Sequence, residues 1–128
     1  MRIIEGFKSI QGEGQTIGTP AYFIRTAGCN LKCTECDTKY SFGKGTDTPL
    51  NIICGWITES KAHTVVYTGG EPLLQWKELY ELSKMLPSCI QRIIIETNAT
   101  ICPSLNEVLD KMYFVFLMSK FESKITIF

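Results

Sequence analysis

Apolar positions along the chain alternate between short continuous runs and stretches with helical spacing. Ala21-Tyr22-Phe23-Ile24-Arg25 reads as a strand from its aromatic and β-branched content. Thr48-Pro49 has the form of an N-cap followed by proline at the first helical position. Leu50, Ile53, Cys54 and Ile57 then recur at i, i+3, i+4 and i+7, one apolar helix face. Thr64-Val65-Val66-Tyr67 predicts a buried strand closed by Gly69-Gly70. Pro72 opens a second helix, with Leu79, Leu82 and Leu86 on one stripe and Pro87 as its stop. Ile93-Ile94-Ile95 is a third strand. Ser104 and Glu107 form a capping box ahead of Leu105, Val108, Leu109 and Met112 at helical spacing. Tyr113–Met118 supplies a fourth strand, and Arg2-Ile3-Ile4-Glu5 is a candidate further edge strand.

Strands without clean alternation, separated by helices, predict an α/β fold with a parallel sheet and right-handed crossovers. About four β/α units are present. The chain ends ten residues past Met118, early for a doubly wound domain and very early for a closed barrel. One backbone edge of the fourth strand is expected to be unpaired, with both faces apolar, so the chain alone is expected to be oligomeric or poorly soluble.

With 128 residues, a single domain is expected. Thirteen basic and thirteen acidic side chains leave no electrostatic footprint for nucleic acid or an anionic membrane. The longest apolar run, Tyr113–Met118, is six residues, against the ~18–20 that span a bilayer. The N-terminus lacks an apolar signal region, so a cytoplasmic location is expected.

In a reducing compartment, six cysteines point to metal or catalysis rather than to disulfides. Cys54, Cys89 and Cys102 are scattered and read as core residues. Cys29, Cys33 and Cys36 form C-x3-C-x2-C directly after a strand. Three thiolates so close suit zinc or an iron–sulfur cluster. A structural zinc would want a fourth ligand, for which His63 and the scattered cysteines lack finger-like spacing. Three ligands with one position open suit a cluster whose unique iron binds something exchangeable. Tyr67-Thr68-Gly69-Gly70-Glu71-Pro72 lies where a strand gives way to a helix, the ligand-binding edge of parallel sheets. Its glycines allow close approach of a ligand, and Glu71 offers a carboxylate to a cationic group, although the same residues also make an ordinary turn. Ser9-Ile10-Gln11-Gly12-Glu13-Gly14 is a glycine-rich polar turn without the lysine of a phosphate loop. Glu96-Thr97-Asn98 ends the third strand and Arg25 the first. Three strand ends on one rim thus carry polar or metal-binding groups.

Cys29, Cys33 and Cys36 with Gly69-Gly70-Glu71-Pro72 resemble the radical S-adenosylmethionine superfamily. Within it, Ser9–Gly14, Phe23-Ile24-Arg25 through Cys36-Asp37-Thr38, and Thr68–Gln75 with Glu96-Thr97-Asn98 are similar to the 7-carboxy-7-deazaguanine synthase family. The resemblance implies a partial (β/α) barrel, one domain over residues 1–128 with C-terminal units missing. The chain departs from the family pattern at Glu35, where an aromatic residue is usual, and at Met118-Ser119-Lys120, which lacks a proline.

The implied activity is that of a carbon–nitrogen lyase. It contracts the ring of 6-carboxy-5,6,7,8-tetrahydropterin to 7-carboxy-7-deazaguanine with release of ammonia, on the route to queuosine and related deazapurines. The resemblance assigns a 4Fe–4S cluster to Cys29, Cys33 and Cys36 and a magnesium ion to Thr38. S-adenosylmethionine falls to Glu35, Cys36, Asp37, Gly69, Gly70, Glu71, Asn98 and Ser119. The pterin substrate falls to Ile10, Gln11, Gly12, Glu13, Arg25 and Thr68. It further implies a flavodoxin- or ferredoxin-like electron donor and a homodimer, with no direct nucleic-acid contact. Two other readings remain. A small glycyl-radical activase keeps C-x3-C-x2-C but leaves Gln11–Gly14 and Cys36-Asp37-Thr38 unexplained. A non-catalytic, truncated iron–sulfur-binding remnant is the other.

Overall fold

The computed structural model describes residues 1–104, 112–116 and 126–127. Seven strands form one sheet in the order β3-β1-β2-β4-β5-β6-β7. They are β1 (Arg2–Ile10), β2 (Pro20–Thr26), β3 (Thr46–Asp47), β4 (Thr64–Gly69), β5 (Arg92–Thr97), β6 (Met112–Phe116) and β7 (Thr126–Ile127). The central strands β2, β4, β5 and β6 are parallel, as their continuous apolar runs predict. The sheet as a whole is mixed. β1 runs antiparallel to β2, β3 antiparallel to β1, and β7 antiparallel to β6.

Two expectations change with this topology. Arg2–Glu5 is the start of a nine-residue strand, and β3 covers its outer edge at Arg2 and Ile3. The outer edge of β6 is also partly paired, because Phe114 and Val115 face Ile127 and Thr126. The ladder is satisfied there by residues that sequence patterning left out. The capping box at Ser104 and Glu107 and the helix it predicts fall largely outside the described residues, as does Ser119.

Two helices, α1 (Leu50–Ser60) and α2 (Trp76–Met85), cover one face of the sheet. Helix α1 has Pro49 rather than Thr48 at its N-cap, because the Pro49 carbonyl accepts from the amides of Ile52 and Ile53. Thr48 instead donates its hydroxyl to the Thr46 carbonyl at 3.3 Å. The apolar stripes behave as their spacing requires. Ile53, Ile57, Leu79 and Leu82 are fully buried, while Leu50 and Cys54 pack at the margin. Each such aliphatic side chain contributes about 1.5–3 kcal/mol on burial.

The strands present apolar residues to both faces, with period two. Ile24, Tyr67 and Ile95 form a row across β2, β4 and β5 and face the helices. Phe23, Val66 and Ile94 form the neighbouring row on the opposite face, with Phe7 packed against them. Tyr67 is buried without charge: Ser83 donates to the Leu79 carbonyl at 2.7 Å, so the Tyr67 hydroxyl donates to Ser83 at 3.1 Å. Burial pushes this phenol well above its usual range. Among the described residues no helix is long and apolar enough to cross a membrane.

Candidate active site

The face turned away from the helices carries the polar strand ends. Arg25 pairs in register with Thr68, and both share a face with Phe23 and Val66. Glu96 lies two residues beyond Ile94 on the same face. These groups line a cleft of about 660 Å³ together with Gln11, the three clustered cysteines and Gly69-Gly70. That volume lies in the ~300–1,000 Å³ range of small-molecule sites. Ile10, Gly12, Glu13, Glu35, Asp37, Thr38 and Asn98 also reach it.

The cysteine loop leaves β2 through Gly28, whose φ of 90° is open to glycine. Its amide bonds the Ser41 carbonyl at 2.7 Å, which closes the loop on itself. All three thiols are free and half-buried. The Leu31 amide donates to Cys29 Sγ at 3.5 Å and the Thr38 amide to Cys36 Sγ at 3.4 Å. Such N–H···S contacts are among the features that set cluster potentials. Thr38 donates its hydroxyl to Asp37 Oδ1 at 2.6 Å, so two hard oxygen donors stand together at the loop's end.

This donor set fits an iron–sulfur cluster, in which each thiolate takes its own iron. Among the described residues no three His, Cys, Asp or Glu side chains gather around a single metal ion. The ligands that a zinc site would recruit are engaged elsewhere. His63 Nδ1 lies 3.0 Å from the Cys89 carbonyl before the start of β4, and Cys54 donates to the Met85 carbonyl. Cys89 and Cys102 are exposed rather than in the core, because both fall in connections outside the helix faces and strands.

The Gly69-Gly70 pair serves the backbone before it serves any ligand. Gly69 has φ 126°, and a Cβ there would meet the Thr26 backbone. A Cβ on Gly70 would overlap the Gly28 carbonyl, which accepts the Glu71 amide at 2.9 Å. The glycines thus let the turn after β4 close onto the root of the cysteine loop. Gly70→Ala is expected to displace that root, halving iron incorporation or worse and lowering the thermal midpoint by several degrees. An unchanged iron content after anaerobic reconstitution would show that the loop tolerates the shift.

Glu71 is the largest departure from expectation. It is fully buried and offers no carboxylate to the cleft. Its Oε1 accepts from the Leu73 amide at 2.9 Å and from the Thr97 hydroxyl at 2.8 Å, and its Oε2 accepts from the Asn98 amide at 2.7 Å. Asn98 in turn donates to Asn30 Oδ1 at 3.0 Å and approaches Cys29 Sγ at 3.8 Å. Glu71 therefore ties the end of β5 to the cysteine loop through Asn98. Gln75 makes a similar pin from the following turn, bonding both the amide and the carbonyl of Arg2.

Gln11 is buried. Its side chain donates to Glu96 Oε1 at 3.0 Å and accepts the Glu13 amide at 3.1 Å, so the glycine-rich segment is a held wall rather than a loose turn. Ile10 at the same wall is largely exposed. Glu96 lines the cleft at the strand-end rim where the sequence puts it, and beside it stand Phe7 and Phe23, two rings to which the sequence gives no role. Their signal was the register between β1 and β2, which a pattern of single strands does not contain.

Comparisons with known proteins find related sequences and a similar fold. A family model described as the radical SAM superfamily matches residues 23–118. A 7-carboxy-7-deazaguanine synthase of Thermoplasma acidophilum is 46% identical over 101 residues, covering 79% of this chain and 48% of that protein. The enzyme of that name from Hyperthermus butylicus is 42% identical over 118 residues, covering 90% of this chain and 50% of its own length. The chain thus spans about half the length of these relatives. The crystal structure of QueE from Escherichia coli superposes with a TM-score of 0.70 at 26% identity, over 93% of this chain and 60% of that one. By the family match over most of its length, and by a cysteine loop set at the carboxyl ends of parallel strands, the chain belongs to the radical SAM superfamily.

Proposed function

We propose that this chain contracts the ring of 6-carboxy-5,6,7,8-tetrahydropterin to 7-carboxy-7-deazaguanine with release of ammonia. The observation that carries the reading is one cleft holding the three cysteines, Arg25, Thr68 and Gln11, in a chain 46% identical to an enzyme of that name. When bound, a 4Fe–4S cluster and S-adenosylmethionine supply the one-electron cleavage and hydrogen-atom removal. Cys29, Cys33 and Cys36 would hold the cluster. Gly69 and Gly70, with Glu35, Asp37 and Asn98 along the rim, would hold the methionine part of the cofactor. Glu71 contributes by fixing Asn98.

Arg25 orients the substrate through its carboxylate, since a planar guanidinium matches a carboxylate bidentately. Its bond to Glu5 is made through Nε at 2.8 Å, not through the terminal nitrogens of the fork. Thr68 and the Ile10–Glu13 wall limit how the heterocycle lies and exclude water. The Thr38 hydroxyl, with its hydrogen committed to Asp37, keeps its lone pairs for a magnesium ion. An external flavodoxin- or ferredoxin-like protein would deliver electrons, and a second copy of the chain is the expected partner.

Incubation of the reconstituted chain with the tetrahydropterin, S-adenosylmethionine and a reductant, followed by mass spectrometry, tests the reading. Formation of 7-carboxy-7-deazaguanine and ammonia is expected, with cofactor cleavage only weakly coupled to product in a chain about half the length of its relatives. Cofactor cleavage with the pterin left intact would favour a different radical SAM reaction, and neither event would favour a cluster-binding remnant. Arg25→Lys is expected to weaken pterin binding by about 2 kcal/mol, the low end for truncating one partner of a charged pair. Its cluster absorbance should be unchanged.

A further inference from the structure

We propose that Glu5 and Tyr40 are positioning residues that hold the Arg25 guanidinium in one plane, so that the carboxylate subsite is built before its ligand arrives. The inference rests on the reading of Arg25 as the anchor for the substrate carboxylate.

The antiparallel pairing of β1 with β2 sets Glu5 opposite Arg25 and Phe7 opposite Phe23. With period two, all four lie on the cleft face. The rings of Phe7 and Phe23 stack with centroids 5.2 Å apart and planes 8° from parallel. Arg25 Cζ lies 5.6 Å from the Phe7 centroid and 5.5 Å from the Tyr40 centroid, so two rings bear on one guanidinium. A single oxygen, Glu5 Oε1, accepts both Arg25 Nε at 2.8 Å and the Tyr40 hydroxyl at 3.0 Å.

Arg25 lines the cleft, whereas Glu5 and Tyr40 do not. A partly exposed ion pair such as this adds little to stability. What this one does is remove freedom from a long side chain. Ordering such a side chain at the moment of binding weakens affinity by a few-fold to about tenfold. Here the ordering is complete beforehand. Tyr40 comes from the turn Lys39–Phe42 that ends the cysteine loop, so the carboxylate subsite and that loop share one hydrogen-bond acceptor.

The experiment compares the full chain with Glu5→Gln and Tyr40→Phe, each checked for an unchanged melting curve. Modification by phenylglyoxal is read at each arginine by mass spectrometry, with Arg2 and Arg92 as internal references. Arg25 is expected to react at least threefold faster in Glu5→Gln and less markedly faster in Tyr40→Phe, which keeps the ring. The references should not change. With pterin, Glu5→Gln is expected to raise KM about tenfold with kcat within twofold and the cluster spectrum unchanged. Unaltered Arg25 reactivity in both variants would overturn the cradle. Raised reactivity with an unaltered KM would leave the cradle standing and overturn Arg25 as the substrate anchor, which separates the two failures.

Discussion

Alanine at Cys29, Cys33 or Cys36 is expected to leave the anaerobically reconstituted chain colourless, without the broad absorbance near 400 nm of an iron–sulfur cluster. Alanine at Cys54, Cys89 or Cys102 should leave that absorbance intact. The first three thiols share one cleft, and backbone amides are already directed at two of them. With one thiolate gone, two donors would remain where the proposed cluster needs three. The other three cysteines stand apart from the cleft. Cys89 and Cys102 are exposed, so their replacement should change stability by less than about 0.5 kcal/mol. Cys54 packs at the margin of the helix-side core and should cost slightly more. Equal loss of iron from Cys54→Ala, Cys89→Ala or Cys102→Ala would overturn the assignment.

Glu71→Ala is expected to destabilise the apo chain by on the order of 4 kcal/mol. Three donors, the amides of Leu73 and Asn98 and the Thr97 hydroxyl, would lose their acceptor, two of them in buried and one in part-buried surroundings. Each orphaned donor costs about 1–3 kcal/mol, and the three are too close to add fully. Glu71→Gln retains one acceptor oxygen but turns an amino group toward one of the donors, so an intermediate loss is expected. Urea titration followed by circular dichroism measures both. The prediction extends to the cysteine loop: with Asn98 released, a chelator should strip iron faster from Glu71→Gln than from the parent chain. A loss under about 1 kcal/mol for the alanine variant would mean that water replaces the carboxylate and that the strut is dispensable.

The positions of the candidate site residues along the chain were legible because their pattern is local. C-x3-C-x2-C after an apolar strand reads as a candidate metal-binding loop in eight residues, and Gly-Gly-Glu-Pro marks where the next strand turns into a helix. The helix stripes were equally plain, since Ile53, Ile57, Leu79 and Leu82 repeat at the helical period and are all buried. Residues that act across strands were not legible in this way. Glu71 reads as an available carboxylate until the β5 end is folded against it. Phe7 and Glu5 read as ordinary strand residues until the register with Phe23 and Arg25 is known. Cys89 and Cys102 read as buried small hydrophobes because spacing does not say which connections reach the surface.

Local pattern by itself determined the parallel core of β2, β4, β5 and β6, the two covering helices and the cysteine loop at their carboxyl edge. Each follows from periodicity or from ligand spacing over a few residues. Tertiary structure alone decided that β1 runs antiparallel, that β7 covers part of the β6 edge, and that Glu71 faces inward. It also decided that Arg25 lies against the rings of Phe7 and Tyr40 and bonds Glu5. The physical reason is the same in each case. Strand direction, register and the partner of a buried charge depend on groups 20 to 35 residues apart in the Glu5–Arg25–Tyr40 cradle, and 26 to 27 apart around Glu71. Hydrogen bonds across such separations are chosen only when the whole sheet closes.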